Sequence, residues 1–138
     1  MYIQSVLEQY CVVWHHNISK LNESELERVQ KVAVKIKTGN KHNTYSENLK
    51  ERNLETLKER RKGLNARFAE KSSRNPRTKK MFEHKEKHHV MKLRTNNKFK
   101  IPNVKTTRWT NSALPNMVNH LNEKHDEKLQ LFRTLNIQ

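Results

Sequence analysis

The stretch Ser19 to Lys37, SKLNESELERVQKVAVKIK, constrains the fold more than any other. Leu26, Val29, Ala33 and Ile36 recur at spacings of three and four, which places them on one stripe of a helix. Glu25, Glu27, Arg28, Lys31 and Lys35 fall largely on the other faces. Ser19 is placed to cap the start, because its hydroxyl accepts a backbone N–H that a helix otherwise leaves unpaired. Ser24 with Glu27 offers a second S-x-x-E start. Thr38-Gly39-Asn40 is a stop, with Gly39 free to adopt positive φ. The pattern predicts a core helix with this apolar stripe turned inward.

The flanking segments read as further helices. From Tyr2 to Trp14, Ile3, Val6, Leu7, Tyr10, Val13 and Trp14 keep a helical period, with a short strand over Val12 to Trp14 as the alternative. His15-His16-Asn17 breaks that run, so the first two helices are expected to form an antiparallel hairpin. Thr44 to Glu47 is a capping box that opens a short helix through Leu49. Thr56 to Glu59 repeats the signal and opens a helix with Leu57, Leu64 and Phe68 on its apolar side. Gly63 within it costs about 1 kcal/mol relative to Ala.

Ser72-Ser73-Arg74 ends that helix. Asn75-Pro76 is expected to start a short one that runs to Phe82. Glu83 to Asn111 shows no sustained period and reads as an extended or disordered basic arm, with a candidate strand at Phe99 to Ile101. Ser112 to Pro115 opens a final helix with Leu114, Met117, Val118 and Leu121 on one face, extended by Leu129, Phe132 and Leu135. The expected fold class is all-α: a small helical bundle with an N-terminal helical hairpin and a poorly ordered basic arm. Its expected divisions are 1–82, 83–111 and 112–138.

Composition limits the core. Leu, Ile, Val and Phe number 31 of 138 residues. That fraction lies just above the roughly 20% below which a highly charged chain tends to be disordered, so the core will be thin. Net charge is +15, which makes an anionic partner the default. The charge is segregated: Arg61 to Arg108 holds 16 Lys/Arg against 3 Asp/Glu, and the remainder holds 13 against 11.

The catalytic chemistries are mostly excluded. Asp126 is the one aspartate, so a two-metal site built on aspartates cannot form within this chain. With Gly39 and Gly63 as its two glycines, it has no Gly-rich phosphate loop. It has no hydrolase nucleophile elbow either. His84, His88 and His89 have an i, i+4 spacing, but no HExxH, second ligand cluster or paired cysteine accompanies them, and no metal or other cofactor is implied. Cys11, the single cysteine, sits among Tyr10, Val12, Val13 and Trp14 and reads as a small buried residue. No apolar run approaches the roughly 20 residues needed to cross a bilayer. The first residues carry no basic segment ahead of an apolar core, so neither a membrane nor a secretory signal is expected and the expected location is intracellular, in cytoplasm or nucleus.

The remaining signal is electrostatic. Arg60, Arg61, Lys62, Arg67 and Lys71 lie on one predicted helix, and Arg74, Arg77, Lys79 and Lys80 follow. Lys85, Lys87, Lys92, Arg94, Lys98, Lys100 and Lys105 line the arm, with Phe99 and Trp109 for stacking or local packing. Such a surface neutralises phosphates, and its aromatics stack on unpaired bases. The candidate nucleic-acid-binding residues are Arg60, Arg61, Lys62, Arg67, Lys71, Arg74, Arg77, Lys79, Lys80, Lys98, Lys100 and Trp109. The expected partner is RNA or DNA, as duplex or single strand.

Several strings resemble one family. SVLEQYCVVWH (Ser5 to His15), LERVQKVAVKI (Leu26 to Ile36), NLETLKERR (Asn53 to Arg61), RFAEK (Arg67 to Lys71) and NPRTKKMF (Asn75 to Phe82) are similar to the C-terminal region of reverse transcriptases from non-LTR (LINE-type, jockey-like) retrotransposons. KFKIPNVKTTRWTNSALPNMVNHLNE (Lys98 to Glu123) continues the pattern in order. The resemblance implies the helical thumb and the segment beyond it, which grip the template–primer duplex. The Y-x-D-D catalytic motif of the family is missing here. It therefore implies a non-enzymatic fragment of an RNA-directed DNA polymerase, with the parent's fingers and palm as partner, and it implies that the Ser19–Lys37 stripe packs on Tyr2 to Trp14. Lys37, Thr38, Arg52, Asn65-Ala66 and Glu83 replace residues that are usually apolar in the family. These departures imply a truncated or decayed copy of marginal stability. The alternatives are a stand-alone basic helical nucleic-acid-binding module and an interaction protein for an acidic partner.

Overall fold

The computed structural model describes residues 2–39, 44–84, 97–103 and 105–135, with side chains from Gln4 onward. Among the described residues there are seven α-helices: α1 (Tyr2–Glu8), α2 (Cys11–Trp14), α3 (Lys20–Thr38), α4 (Tyr45–Glu51), α5 (Leu57–Arg74), α6 (Thr107–Thr110) and α7 (Ala113–Leu135). The fold is all-α, and no helix of the described residues is long and apolar enough to cross a membrane. The chain forms two compact units, Met1–Asn65 and Ala66–Gln138, divided inside α5. This partition differs from the expected boundaries at 82 and 111, because Ala69, Phe82, Phe99 and Val118 share one core.

In the first unit the expected helix over Tyr2 to Trp14 is broken. Tyr10 adopts φ 53°, a left-handed conformation that strains a bulky side chain. The break is stabilised locally, since the Trp14 indole Nε1–H donates to the Gln9 carbonyl at 2.9 Å. His15–Asn17 then forms a 3₁₀ turn. The ends of α3 follow from its sequence. The Ser19 hydroxyl accepts from Asn22 N–H at 3.2 Å, and Gly39 ends the helix at φ 65°. At α4 both bonds of the Thr44/Glu47 capping box form.

The apolar stripe of α3 does not face inward. Val29 is 45% exposed and Ile36 77%, and Val32 beside them is also exposed; Leu26 and Ala33 are half-buried. The side turned into the unit carries Glu23, Glu27, Gln30, Val34 and Thr38. Glu23, Glu27 and Gln30 bond to the segments that follow α3 in the chain. Glu27 accepts from the Tyr45 hydroxyl at 2.6 Å and from the Leu57 backbone N–H at 3.2 Å, so one carboxylate holds α4 and caps α5. Burial of the phenol, and then its bond to the Glu27 carboxylate, push the Tyr45 pKa up. Gln30 Nε2 donates to the Glu55 carbonyl at 3.1 Å. The Thr38 hydroxyl donates to the Val34 carbonyl at 2.7 Å. A rotation that buried Ile36 would forfeit the Glu27 and Gln30 bonds and strand polar groups.

Arg52 and Asn65, polar residues within the first unit, have partners here. Arg52 Nη2 donates to the Lys37 carbonyl at 3.3 Å. Asn65, 7% exposed, lies 3.9 Å from the Cys11 thiol, which donates to its side-chain oxygen, and 3.5 Å from a His16 ring nitrogen. Cys11 is buried as expected, and that burial pushes its thiol pKa up. Arg61 is fully buried on α5. It lies over the Trp14 ring, 5.5 Å from the centroid, and its Nε–H donates to His15 Nδ1 at 3.4 Å. Its Nη2 lies 3.6 Å from Glu23, an ion-pair distance rather than a hydrogen bond.

The second unit has a clear apolar core: Ala69, Phe82, Phe99, Met117, Val118 and Leu121, with Ala113 and Leu114 packed against it. The face of α7 is the one its spacing predicts. Phe132 and Leu135 extend the helix but stay exposed. After α5 the expected helix from Asn75 to Phe82 is replaced by turns and a 3₁₀ turn, Lys79–Met81. The Asn75 side chain accepts from Arg77 N–H at 3.0 Å, and this local bond favours a turn over a helix. Residues 97–103 of the expected loose arm are placed against the core. Phe99 is 6% exposed and meets Phe82 edge-to-face at 5.9 Å. In place of a strand there is one isolated antiparallel bridge, His84 to Phe99. Lys85, Lys87, Lys92, Arg94, His88 and His89 lie outside the described residues.

Two outcomes follow for the first unit. Arg61→Ala takes from His15 its hydrogen-bond donor, leaves Glu23 to Lys58 alone and opens a cavity beside Trp14, which lowers stability by about 3 kcal/mol. Urea unfolding followed by Trp14 fluorescence in a Trp109→Phe background measures it. Burial also pushes the His15 and His16 imidazoles below their ordinary 6.5, aided at His15 by His16 and Arg61. The unfolded chain then binds protons more readily than the folded one, so stability rises with pH. This contribution is fully present above about pH 6.5 and is lost as pH falls through the folded values. Urea midpoints measured on both sides of that pH should fall on the acid side, and His15→Asn/His16→Asn should flatten the dependence.

Candidate nucleic-acid interface

Within Ala66–Gln138 the surface holds a cleft of about 440 Å³. Five cations line it: Arg74, Lys79, Lys98, Lys124 and Lys128. Glu70 is the one carboxylate, and His84 and His125 add polar rings. Three local structures bring them together. Arg74 is the last residue of α5, one turn beyond Glu70. Lys79 opens the 3₁₀ turn that follows. Leu121, Lys124, His125 and Lys128 have the spacing of one face of α7.

A buried amide clamp adds the segment that carries Lys98. Asn122, 4% exposed, accepts from Phe99 N–H at 2.9 Å and donates to the Phe99 carbonyl at 3.0 Å. Pairing both backbone groups of one residue in this way pins the 97–103 segment to α7. It places Lys98 on the rim, its ammonium 5.4 Å from the Phe99 ring centroid. The His84 ring lies against the same Phe99 ring at 5.0 Å, tilted by 40°. Lys100 N–H donates to the Glu83 carbonyl at 2.8 Å and joins the two segments.

The charges are unevenly balanced. The Lys124 ammonium donates to Glu70, and this bond, with Lys124, Arg74 and His120 nearby, holds the Glu70 carboxyl below its ordinary range. Glu70 therefore stays ionised and offsets Lys124. Arg74, Lys79, Lys98 and Lys128 face the cleft with no second carboxylate in its lining.

The sequence-derived candidates separate into groups. Arg74, Lys79 and Lys98 meet in the cleft. Arg67, Lys71, Arg77 and Lys80 are exposed but do not line it. Lys100 is exposed and paired with Glu83 at 3.3 Å. Trp109 lies on α6, 45% exposed. In the first unit Lys62 is exposed, and Arg60 is paired with Glu8. Arg61 is corrected: with 0% exposure and its guanidinium committed to Trp14, His15 and Glu23, it cannot reach a phosphate. Phe99 is likewise a core residue rather than a stacking surface. Lys124, His125, Lys128 and His84 are the residues that sequence reasoning did not select. The first three share the helical spacing of Leu121, a signal visible once the polar residues of α7 are projected on its axis.

No family model, curated protein or solved structure matches the chain.

Asn122→Ala leaves two buried backbone groups of Phe99 unpaired, which costs about 3 kcal/mol. Hydrogen exchange should show the Phe99 amide protected in the parent chain and exchanging freely in the variant.

Proposed function

We propose that the chain binds nucleic acid without sequence preference, by its phosphates, at the cleft of the Ala66–Gln138 unit. The observation that carries this reading is the convergence of Arg74, Lys79, Lys98 and Lys128 on one concavity whose single carboxylate is already paired with Lys124. Guanidinium and ammonium groups that outnumber the carboxylates lining the same cleft attract phosphate oxygens. Exchanging condensed counterions for these groups provides the driving force.

The resemblance to non-LTR retrotransposon reverse transcriptases gives this activity a setting. In that reading the chain is the gripping part of an RNA-directed DNA polymerase and carries none of its catalytic residues. The parent's fingers and palm then cover the outward apolar stripe of α3, Val29, Val32 and Ile36. A primer-extension assay with this chain alone should yield no product.

Fluorescence anisotropy with a labelled oligonucleotide over about 50 to 200 mM salt tests the reading. Four phosphate contacts predict a log–log slope near −3 for a single strand. Lys79→Gln with Lys98→Gln should remove about half of that slope. Arg61→Met, folded at the assay temperature, should leave it unchanged. Undetectable affinity at low salt, or an affinity independent of salt, overturns the proposal.

A further inference from the structure

We infer that the cleft accommodates one unpaired nucleotide, with its base on the outer face of the His84 imidazole, so that the chain prefers single-stranded nucleic acid to duplex. The inference rests on the phosphate-binding reading and adds the strand type.

Three observations lead to it. The first is shape. At about 440 Å³ the cleft has the size of a small-ligand site. A duplex presents its phosphates on a convex surface and keeps its bases stacked inside. A concavity of this size admits one sugar and base, with the phosphates of that nucleotide and of its neighbours in the strand along the cationic rim.

The second is the aromatic platform. His84 is exposed, and its ring lies at 5.0 Å on Phe99. Phe99 is in turn buried, packed on Phe82 and held at both backbone groups by Asn122. The imidazole is therefore backed by a rigid core on one side and open on the other. A base can stack on that open face only when it is unpaired.

The third is the disposition of charge around the platform. Lys98 flanks Phe99 on the 97–103 segment, and Arg74, Lys79 and Lys128 complete the rim of the same cleft. A nucleotide whose base rests on His84 keeps its phosphate among these cations. Stacking and phosphate pairing are then met by one ligand at once, and a paired base in a duplex meets only the second.

Anisotropy titrations at one salt concentration test this with three probes: a single strand of about 12 nucleotides, the blunt duplex of the same sequence, and a free nucleoside monophosphate. The single strand should bind about tenfold more tightly than the duplex, given the worth of one base–aromatic stack. The monophosphate should bind weakly and compete with the strand. His84→Ala should lower single-strand affinity by about tenfold while leaving duplex affinity unchanged. His84→Trp should restore it, with indole fluorescence quenched on binding in a Trp14→Phe/Trp109→Phe background. Circular dichroism checks that each variant is folded.

Duplex binding as tight as single-strand binding, with the salt slope intact, overturns this inference and leaves the phosphate-binding reading standing. Full single-strand affinity in folded His84→Ala overturns it equally. Absence of binding by every probe at low salt overturns both.

Discussion

A polar group moved out of water needs a partner, because losing its hydrogen bonds costs on the order of 1–3 kcal/mol. This constraint governs both units, since a chain with so few large apolar residues must bury polar ones. In the first unit Glu27 joins α3 to Tyr45 and to the start of α5. Gln30 fixes the loop before α5 through the Glu55 carbonyl. Arg61, Asn65, His15 and His16 fill space that a larger domain would fill with leucines. In the second unit Asn122 does for Phe99 what a neighbouring strand would do, by pairing its N–H and its carbonyl.

The two units differ in how they treat positive charge. At the start of α5 three cations are matched: Arg60 with Glu8, Lys58 and Arg61 with Glu23. In the cleft lined by the end of α5, the 3₁₀ turn and one face of α7, Glu70 is the one carboxylate among five cations. Glu70 can offset one cation at most, and the rest face solvent in a concavity. Mutual repulsion in such a cluster opposes folding, and an anionic ligand relieves it. The same carboxylate deficit that weakens the free unit strengthens its hold on phosphate.

Helix ends proved legible from local chemistry. Ser19, Gly39 and the Thr44/Glu47 box act within a turn of themselves, so nothing distant overrides them. The apolar face of α7 was also legible, because no polar competitor on that helix offers more than Asn122, which sits within the same face. The buried face of α3 was not. Its apolar stripe and its polar stripe are both regular, and the polar one is turned inward because Tyr45, Glu55, Leu57 and Arg61 supply partners far along the chain. Arg61 misleads for the same reason, since within NLETLKERR nothing distinguishes a buried guanidinium from an exposed one.

The sequence by itself determined the helical class, the main helix ends and the segregation of positive charge into the middle of the chain. Each of these depends on residues within a few positions of one another or on composition alone. The tertiary structure decided which stripe of α3 is buried, which arginine is lost to the interior, and which lysines share a cleft. Burial is a competition among all partners in space, and Arg74, Lys79, Lys98 and Lys128 come from three separate segments that only the packed core around Phe82, Phe99 and Val118 brings together.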